Sequence, residues 1–396
     1  MTSRPDMIIT VILCIAGVLI APFIQPAWLL ALIAILISGV FYLMKNTHYA
    51  AIGISLVALF YGLGFVSLMV FLGTLVIVIL GEAVFRVIER TEIKYLANII
   101  ISMAAAIAVF IYIGYEYILV PITGVIVALL LKSALKGRED AIMIECFGTA
   151  MTMYLFEDLS YSVEITSLIF ALIISFAFGY SAYRMKAADK SGLFSGALMG
   201  LLIIVFADVR WFLLMLAFFI LGTAFTKYKY EIKKREGVAE SKGGVRGFTN
   251  VFANGLIALC GAVLYGIYGE LAFISLFVGS VAAATADTTA SELGMLGKTP
   301  YLITTLKQVP KGTDGGVTLM GEVLATLAAL LIGGIAFALE IAPVEIIPVA
   351  AIAGFVGTNI DSLVGATLER REIIGNSGTN LFCTVSGGIA AIILLN

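Results

Sequence analysis

Two aspartates, Asp287 and Asp361, stand in the small-residue runs Ala282–Gly294 (AAATADTTASELG) and Gly354–Arg371 (GFVGTNIDSLVGATLERR). A carboxylate at a membrane boundary is costly unless it is paired or binds an ion, so both are functional candidates. Ser291 follows Asp287 by four residues and shares its helical side. Glu292 projects about 140° away on a regular helix and reaches the same ion only if the helix breaks, which Gly294 permits. Gly357, Asp361 and Gly365 form one stripe that lets a backbone or a metal approach the carboxylate, although such glycine spacing is also a plain packing device. Arg370 and Arg371 close this segment and are candidates for holding a phosphate.

Between the aspartates runs Gly297–Gly316 (GKTPYLITTLKQVPKGTDGG), in which Lys298, Lys307 and Lys311 precede Gly312, Thr313, Asp314, Gly315 and Gly316. Glycines ahead of a helix start turn backbone N–H groups outward, and with nearby lysines they make a phosphate cradle. The Walker spacing is absent. Upstream, Arg246–Gly255 (RGFTNVFANG) places Asn250 and Asn254 on one helical face, suited to a ligand or metal-bound oxygens, or else to capping and inter-helix bonding. Paired carboxylates, cations and a glycine-rich turn on one face fit phosphoryl transfer, in which Mg2+ held by carboxylates bridges phosphate oxygens.

The elements that must position these groups follow from composition. The chain has 396 residues, 61% hydrophobic and 13% charged, with mean hydropathy +1.09. A soluble globular protein carries about a quarter charged residues, and a disordered one far fewer apolar ones. A net charge of −2 gives no basic field for nucleic acid. The four cysteines stand singly in apolar stretches beside one histidine, His48, so neither a disulfide framework nor a zinc site is expected. Catalysis therefore falls to carboxylates, lysines, arginines, amides and backbone groups.

The expected fold is all-α, a polytopic integral membrane protein with about 15 spans (13–15), the first near residues 7–24 and the last near 377–395. With the N-terminus cytoplasmic, of the 24 lysines and arginines only Arg210 falls outside. Polar residues gather in the second half, which divides the chain into 1–183, an extension of unassigned role, and 184–396, where the chemistry is expected. The charged run Lys227–Gly247 is the one stretch long enough for a water-exposed hairpin or helix.

The strings GGVRGFTNVFANG, ATADTTASELG, ITTLKQVPKGTDGGVTLMG and DSLVGATLE resemble the integral membrane family of plant phytyl-phosphate kinases and transmembrane protein 19, over about residues 190–396. The resemblance implies a catalytic domain at 184–396 and a kinase at the cell membrane, its site on the cytoplasmic side, that uses CTP or ATP to convert an isoprenyl monophosphate lipid to the diphosphate. It further implies Asp287 and Asp361 as metal ligands, Lys298 and Lys307 as phosphate neutralisers, Gly312–Gly316 as the cradle, and Asn250 and Asn254 as a polar wall. The catalytic set is then Asp287, Lys307 and Asp361. The nucleotide or phosphate set is Arg246, Asn250, Asn254, Ser291, Lys298, Gly312, Thr313, Gly315, Gly316 and Arg370, and the Mg2+ set is Asp287, Glu292 and Asp361. Thr289, Asp314 and Glu322 depart from the family pattern, the two acids bearing on donor choice. A CTP-dependent lipid cytidylyltransferase or isoprenol kinase is the enzymatic alternative. A transporter is the other, and it requires acids near the bilayer middle and an inverted repeat.

Overall fold

The structure, a computed structural model, describes residues 4–43, 47–297 and 299–395. Among them it has sixteen α-helices and one two-stranded antiparallel pair. Fifteen of the helices coincide with the apolar segments expected from hydropathy, and the short α11 (Tyr230–Arg235) lies in the charged run. Nine of the helices described are long and apolar enough to cross a membrane, and five shorter ones share their apolar character. The chain forms two compact units, Met1–Ser167 and Leu168–Asn396.

The first unit holds α1 (Arg4–Ile20), α2 (Ala27–Tyr42), α3 (His48–Gly62), α4 (Leu68–Val87), α5 (Thr91–Tyr112), α6 (Leu119–Ala134) and α7 (Ala141–Asp158). A helix apolar all round must be sheathed by others, and α6 is buried at every position from Leu119 to Leu130. At its end Lys132 lies between Glu82 (2.8 Å) and Glu145 (3.0 Å), with Arg86 also on Glu82. Pairing is what makes buried charge tolerable.

The second unit begins near the start of α8 (Ile165–Arg184) and continues through α9 (Lys190–Phe206), α10 (Val209–Lys227), α11 and α12 (Phe248–Tyr268). α13 (Leu271–Gly294), α14 (Leu319–Ala338), α15 (Ile346–Val364) and α16 (Asn376–Leu395) complete it. In lipid, helices associate by close van der Waals packing, which small side chains allow. The run Gly279–Ala286 of α13 is buried throughout and serves this purpose. A methyl placed on Gly354 would meet the Ala329 methyl at 2.4 Å, and one on Gly357 the Ala283 methyl at 2.5 Å. The first contact fixes α15 against α14 and the second fixes it against α13, setting the level of Asp361 relative to Asp287.

Two local features shape the end of this bundle. α15 runs into a π turn, Gly365–Glu369, a wider turn that re-phases the side chains after it. Strands β1 (Tyr301–Leu302) and β2 (Gly316–Val317) pair Tyr301 with Val317 and Leu302 with Gly316. The glycine segment is therefore the return arm of this pair and does not open α14. That helix is capped by Thr318, whose Oγ1 accepts the Gly321 N–H at 3.0 Å. The expected cradle is corrected in placement alone: Gly312–Gly316 lies on the strand arm ahead of the Thr318 cap and not on the first turn of the helix.

Candidate functional site

α13, α14, α15 and the β1–β2 segment enclose a cavity of about 200 Å³. Asp287 and Ser291 reach it from α13, and Asp361, Ser362 and Gly365 from α15. The return arm contributes Gly312, Thr313, Gly315 and Gly316. Three further acids line it, Asp314, Glu322 and Glu369, while Lys311 is the one ammonium among the described lining residues. Asp361, Glu369 and Glu322 all act electrostatically on Asp287.

The loop is seated by backbone contact. Gly315 has φ +76, and a Cβ there would meet Ser362 O and Ala366 N at 2.6 Å. Only glycine combines that conformation with that approach. The π turn rotates less per residue than an α turn, so Glu369 swings back toward the face that carries Asp361. Glu322 accepts from the Asn359 amide at 3.0 Å.

Asp361 Oδ2 and Thr358 Oγ1 are buried without a hydrogen-bond partner among the described residues. A buried carboxylate oxygen left unsatisfied is expensive, and a hard cation or a donor-bearing ligand removes that cost. No three of the described His, Cys, Asp or Glu side chains converge on one point. Mg2+ seldom uses an all-protein cage and is usually held by one or two carboxylates together with substrate phosphates. The donor set of Asp287 and Asp361 fits that mode.

Several expected site residues lie elsewhere. Glu292 does not join Asp287, because α13 stays helical to Gly294 and turns the side chain away. There it forms a buried ion pair with Lys233, whose Nζ also donates to Phe225 O at 2.8 Å. Its expected role as a metal ligand is thereby corrected. Lys307 is exposed on the turn between the strands and does not line the cavity, nor does the exposed Arg370. Lys298 lies outside the described residues. Arg246 and Asn250 line a different cleft of the second unit, and Asn254 donates its amide to Asn250 O at 3.0 Å. Burial pulls the Arg246 guanidinium below its usual value, against the opposing influence of Glu240 and Glu292.

Fold and site together define a polytopic α-helical membrane protein with an acid-lined, glycine-looped cavity in its second unit. The model of the integral membrane protein family DUF92 matches residues 173–388, and the chain belongs to that family. An uncharacterized membrane protein of Methanocaldococcus jannaschii is 37% identical over 212 residues, 53% of this chain and 87% of the relative. Protein PGR of Arabidopsis thaliana is 34% identical over 245 residues, 53% of this chain and 84% of its own. Protein VTE6, chloroplastic, of the same plant is 34% identical over 225 residues, 54% and 67% respectively. No solved structure matches the chain significantly. The family resemblance carried by the motifs of the second half is confirmed by this membership.

Proposed function

We propose that the protein is a polyprenyl-phosphate kinase that moves the terminal phosphoryl group of CTP or ATP onto an isoprenyl monophosphate of the phytyl or geranylgeranyl type. The observation that carries this reading is the buried, unpartnered Asp361 Oδ2 in one cavity with Asp287, Lys311 and the glycine arm. Asp287 and Asp361 would hold Mg2+, which when bound would supply positive charge to neutralise the phosphates. Lys311 takes the phosphate-neutralising part that the resemblance gives to Lys307, since it lines the cavity. The Gly312–Gly316 arm brings backbone against the phosphates where a side chain would obstruct.

In the reaction an oxygen of the lipid monophosphate attacks the terminal phosphorus in line. The bond to the bridging oxygen breaks, and the nucleoside diphosphate leaves with that electron pair. The acceptor is already ionised at neutral pH, so positioning and charge neutralisation carry the catalysis and no histidine is needed. We place the protein at the cell membrane with about 15 spans, the N-terminus and the cavity facing the cytoplasm, in keeping with the positive-inside distribution.

The test mixes purified protein, Mg2+ and each triphosphate with isoprenyl alcohols and monophosphates, followed by mass spectrometry. Diphosphate lipid and nucleoside diphosphate are expected from the monophosphates alone. Pyrophosphate released from CTP would make the protein a cytidylyltransferase, and phosphorylation of the alcohols an isoprenol kinase. Asp287→Ala should lower turnover at least about 100-fold, the scale of losing a principal transition-state charge contact.

A further inference from the structure

A second cavity in the second unit is chemically unlike the first. It is a cleft of about 60 Å³ among α8, α9, α10 and α12, walled by Phe178, Met199, Phe212, Met215 and Phe219, and its one charged lining residue is Arg246. Gly192, Gly196 and Gly200, four residues apart on α9, face into it. At Gly196 an added methyl would meet nothing within 4 Å, so the slot is open there.

Arg246 is only 5% exposed. Its backbone is clamped beside the start of α9, donating to Ala187 O at 3.0 Å and accepting from Asp189 N at 3.1 Å. That clamp is why residue 192 is glycine, since a Cβ there would meet Arg246 O at 2.2 Å. The guanidinium lies over the Phe218 and Phe219 rings, 5.5 and 6.0 Å from their centroids. Nη1 donates to Asn250 Oδ1 at 3.1 Å. Nε and Nη2 have no acceptor, and no carboxylate pairs with the group, among the described residues. Glu240 and Glu292 influence it from beyond contact, and Glu292 is committed to Lys233.

A buried guanidinium ordinarily sits in a two-bond fork with a carboxylate or a phosphate. Here the fork closes one end of an apolar slot, which calls for an anion carrying an apolar chain. The group is also next to the turn of α13 that bears Asp287: a methyl on Gly222 would meet Arg246 Nη2 at 2.7 Å and the Thr288 methyl at 3.5 Å.

The geometry points to this cleft as the site of the acceptor lipid, with its monophosphate on Arg246 and Asn250 and its isoprenyl chain leaving past the open position at Gly196. The assignment rests on the kinase reading above for the identity of the anion. Arg246 is a binding residue in it and takes no part in bond making.

Equilibrium binding to the full-length protein in detergent, without nucleotide, tests it with geranylgeranyl monophosphate, geranylgeraniol and inorganic phosphate as probes. The monophosphate should bind at least tenfold more tightly than the alcohol or free phosphate. Arg246→Gln should weaken the monophosphate about ten- to hundredfold, the scale of a charge-assisted hydrogen bond, and leave the alcohol unchanged. Gly196→Leu, which fills the slot without touching the cation, should weaken both lipids and leave thermal stability and nucleotide binding unchanged. Monophosphate binding that survives both substitutions overturns the site, and so does equal competition by phosphatidylglycerol vesicles. Arg246-dependent binding with no diphosphate formed from any triphosphate overturns the kinase reading and leaves the lipid site standing. Diphosphate formation by both variants at the native KM for lipid does the reverse.

Discussion

Lys311 brings the ammonium to the acid-lined cavity, and it is already paired, with Glu236 at 3.2 Å. The two side chains are 30% and 41% exposed, and an ion pair that accessible contributes only about 0–1 kcal/mol. On the kinase reading, a nucleotide phosphate, with more charge and better acceptors, would displace Glu236. Lys311→Met is therefore expected to raise the KM for nucleotide about tenfold, whereas Glu236→Gln should lower it a few-fold, and neither should shift thermal unfolding by more than about 1 kcal/mol. The buried pair Lys233–Glu292 is the contrasting case, its side chains 1% and 7% exposed. Lys233→Met strands a buried carboxylate and should cost about 3–5 kcal/mol, read as a large fall in the unfolding temperature in detergent. Joining it to Glu292→Leu should recover most of that loss. A double variant as unstable as the single one would show that Lys233 acts through its backbone acceptors, Phe225 O and Thr226 O, and not through Glu292.

Among the elements, the crossing of α13 with α15 governs the site, because it carries both aspartates. Gly357 packs on Ala283, and it lies one turn before Asp361. Gly357→Val should push the helices apart at a cost of about 1–3 kcal/mol, the range for overpacking. Turnover should fall further than stability does, since Asp361 moves away from Asp287. Unchanged Mg2+ dependence in a variant still folded by thermal unfolding would sink this view of the crossing. The helices themselves were legible from hydropathy, and the four-residue spacings of Asp287 with Ser291 and of Asp361 with Gly365 correctly placed those residues on one cavity. What stayed hidden depends on geometry that no local pattern encodes. Glu369 joins the cavity through a π turn, which breaks the 3.6-residue phase used to read faces. Lys311 and Glu236 meet across 75 positions of chain. The resemblance puts Arg246 in the nucleotide or phosphate set, yet its neighbours in the cleft come from α8, α9 and α10, of which the local segment Arg246–Gly255 carries no sign.

At the scale of the whole molecule, contacts within the second unit constrain the membrane topology independently of the charge rule. Glu236 and Lys311 touch, so the charged run and the glycine arm share a membrane face, with α12 and α13 between them as two crossings. Arg210 reaches Glu340 at 3.7 Å, so the α9–α10 turn and the turn after α14 share a face, with α10, α12, α13 and α14 between them as four crossings. Both parities are even, as they must be, and the single crossing α10 separates the two faces. On the proposed orientation, which follows the positive-inside rule, the lysine-rich face would be the cytoplasmic one. In a background with the four native cysteines replaced, Gly237→Cys and Glu340→Cys should label from opposite sides of intact cells with an impermeant thiol reagent, Glu340→Cys from outside. Labelling of both from one side would mean that α12, α13 and α14, the helices between the two positions, do not make an odd number of crossings. On the kinase reading, the cavity, whose lining Lys311 pairs with Glu236, would then lose the place at one membrane face that the proposed meeting of soluble nucleotide and membrane-anchored phosphate requires.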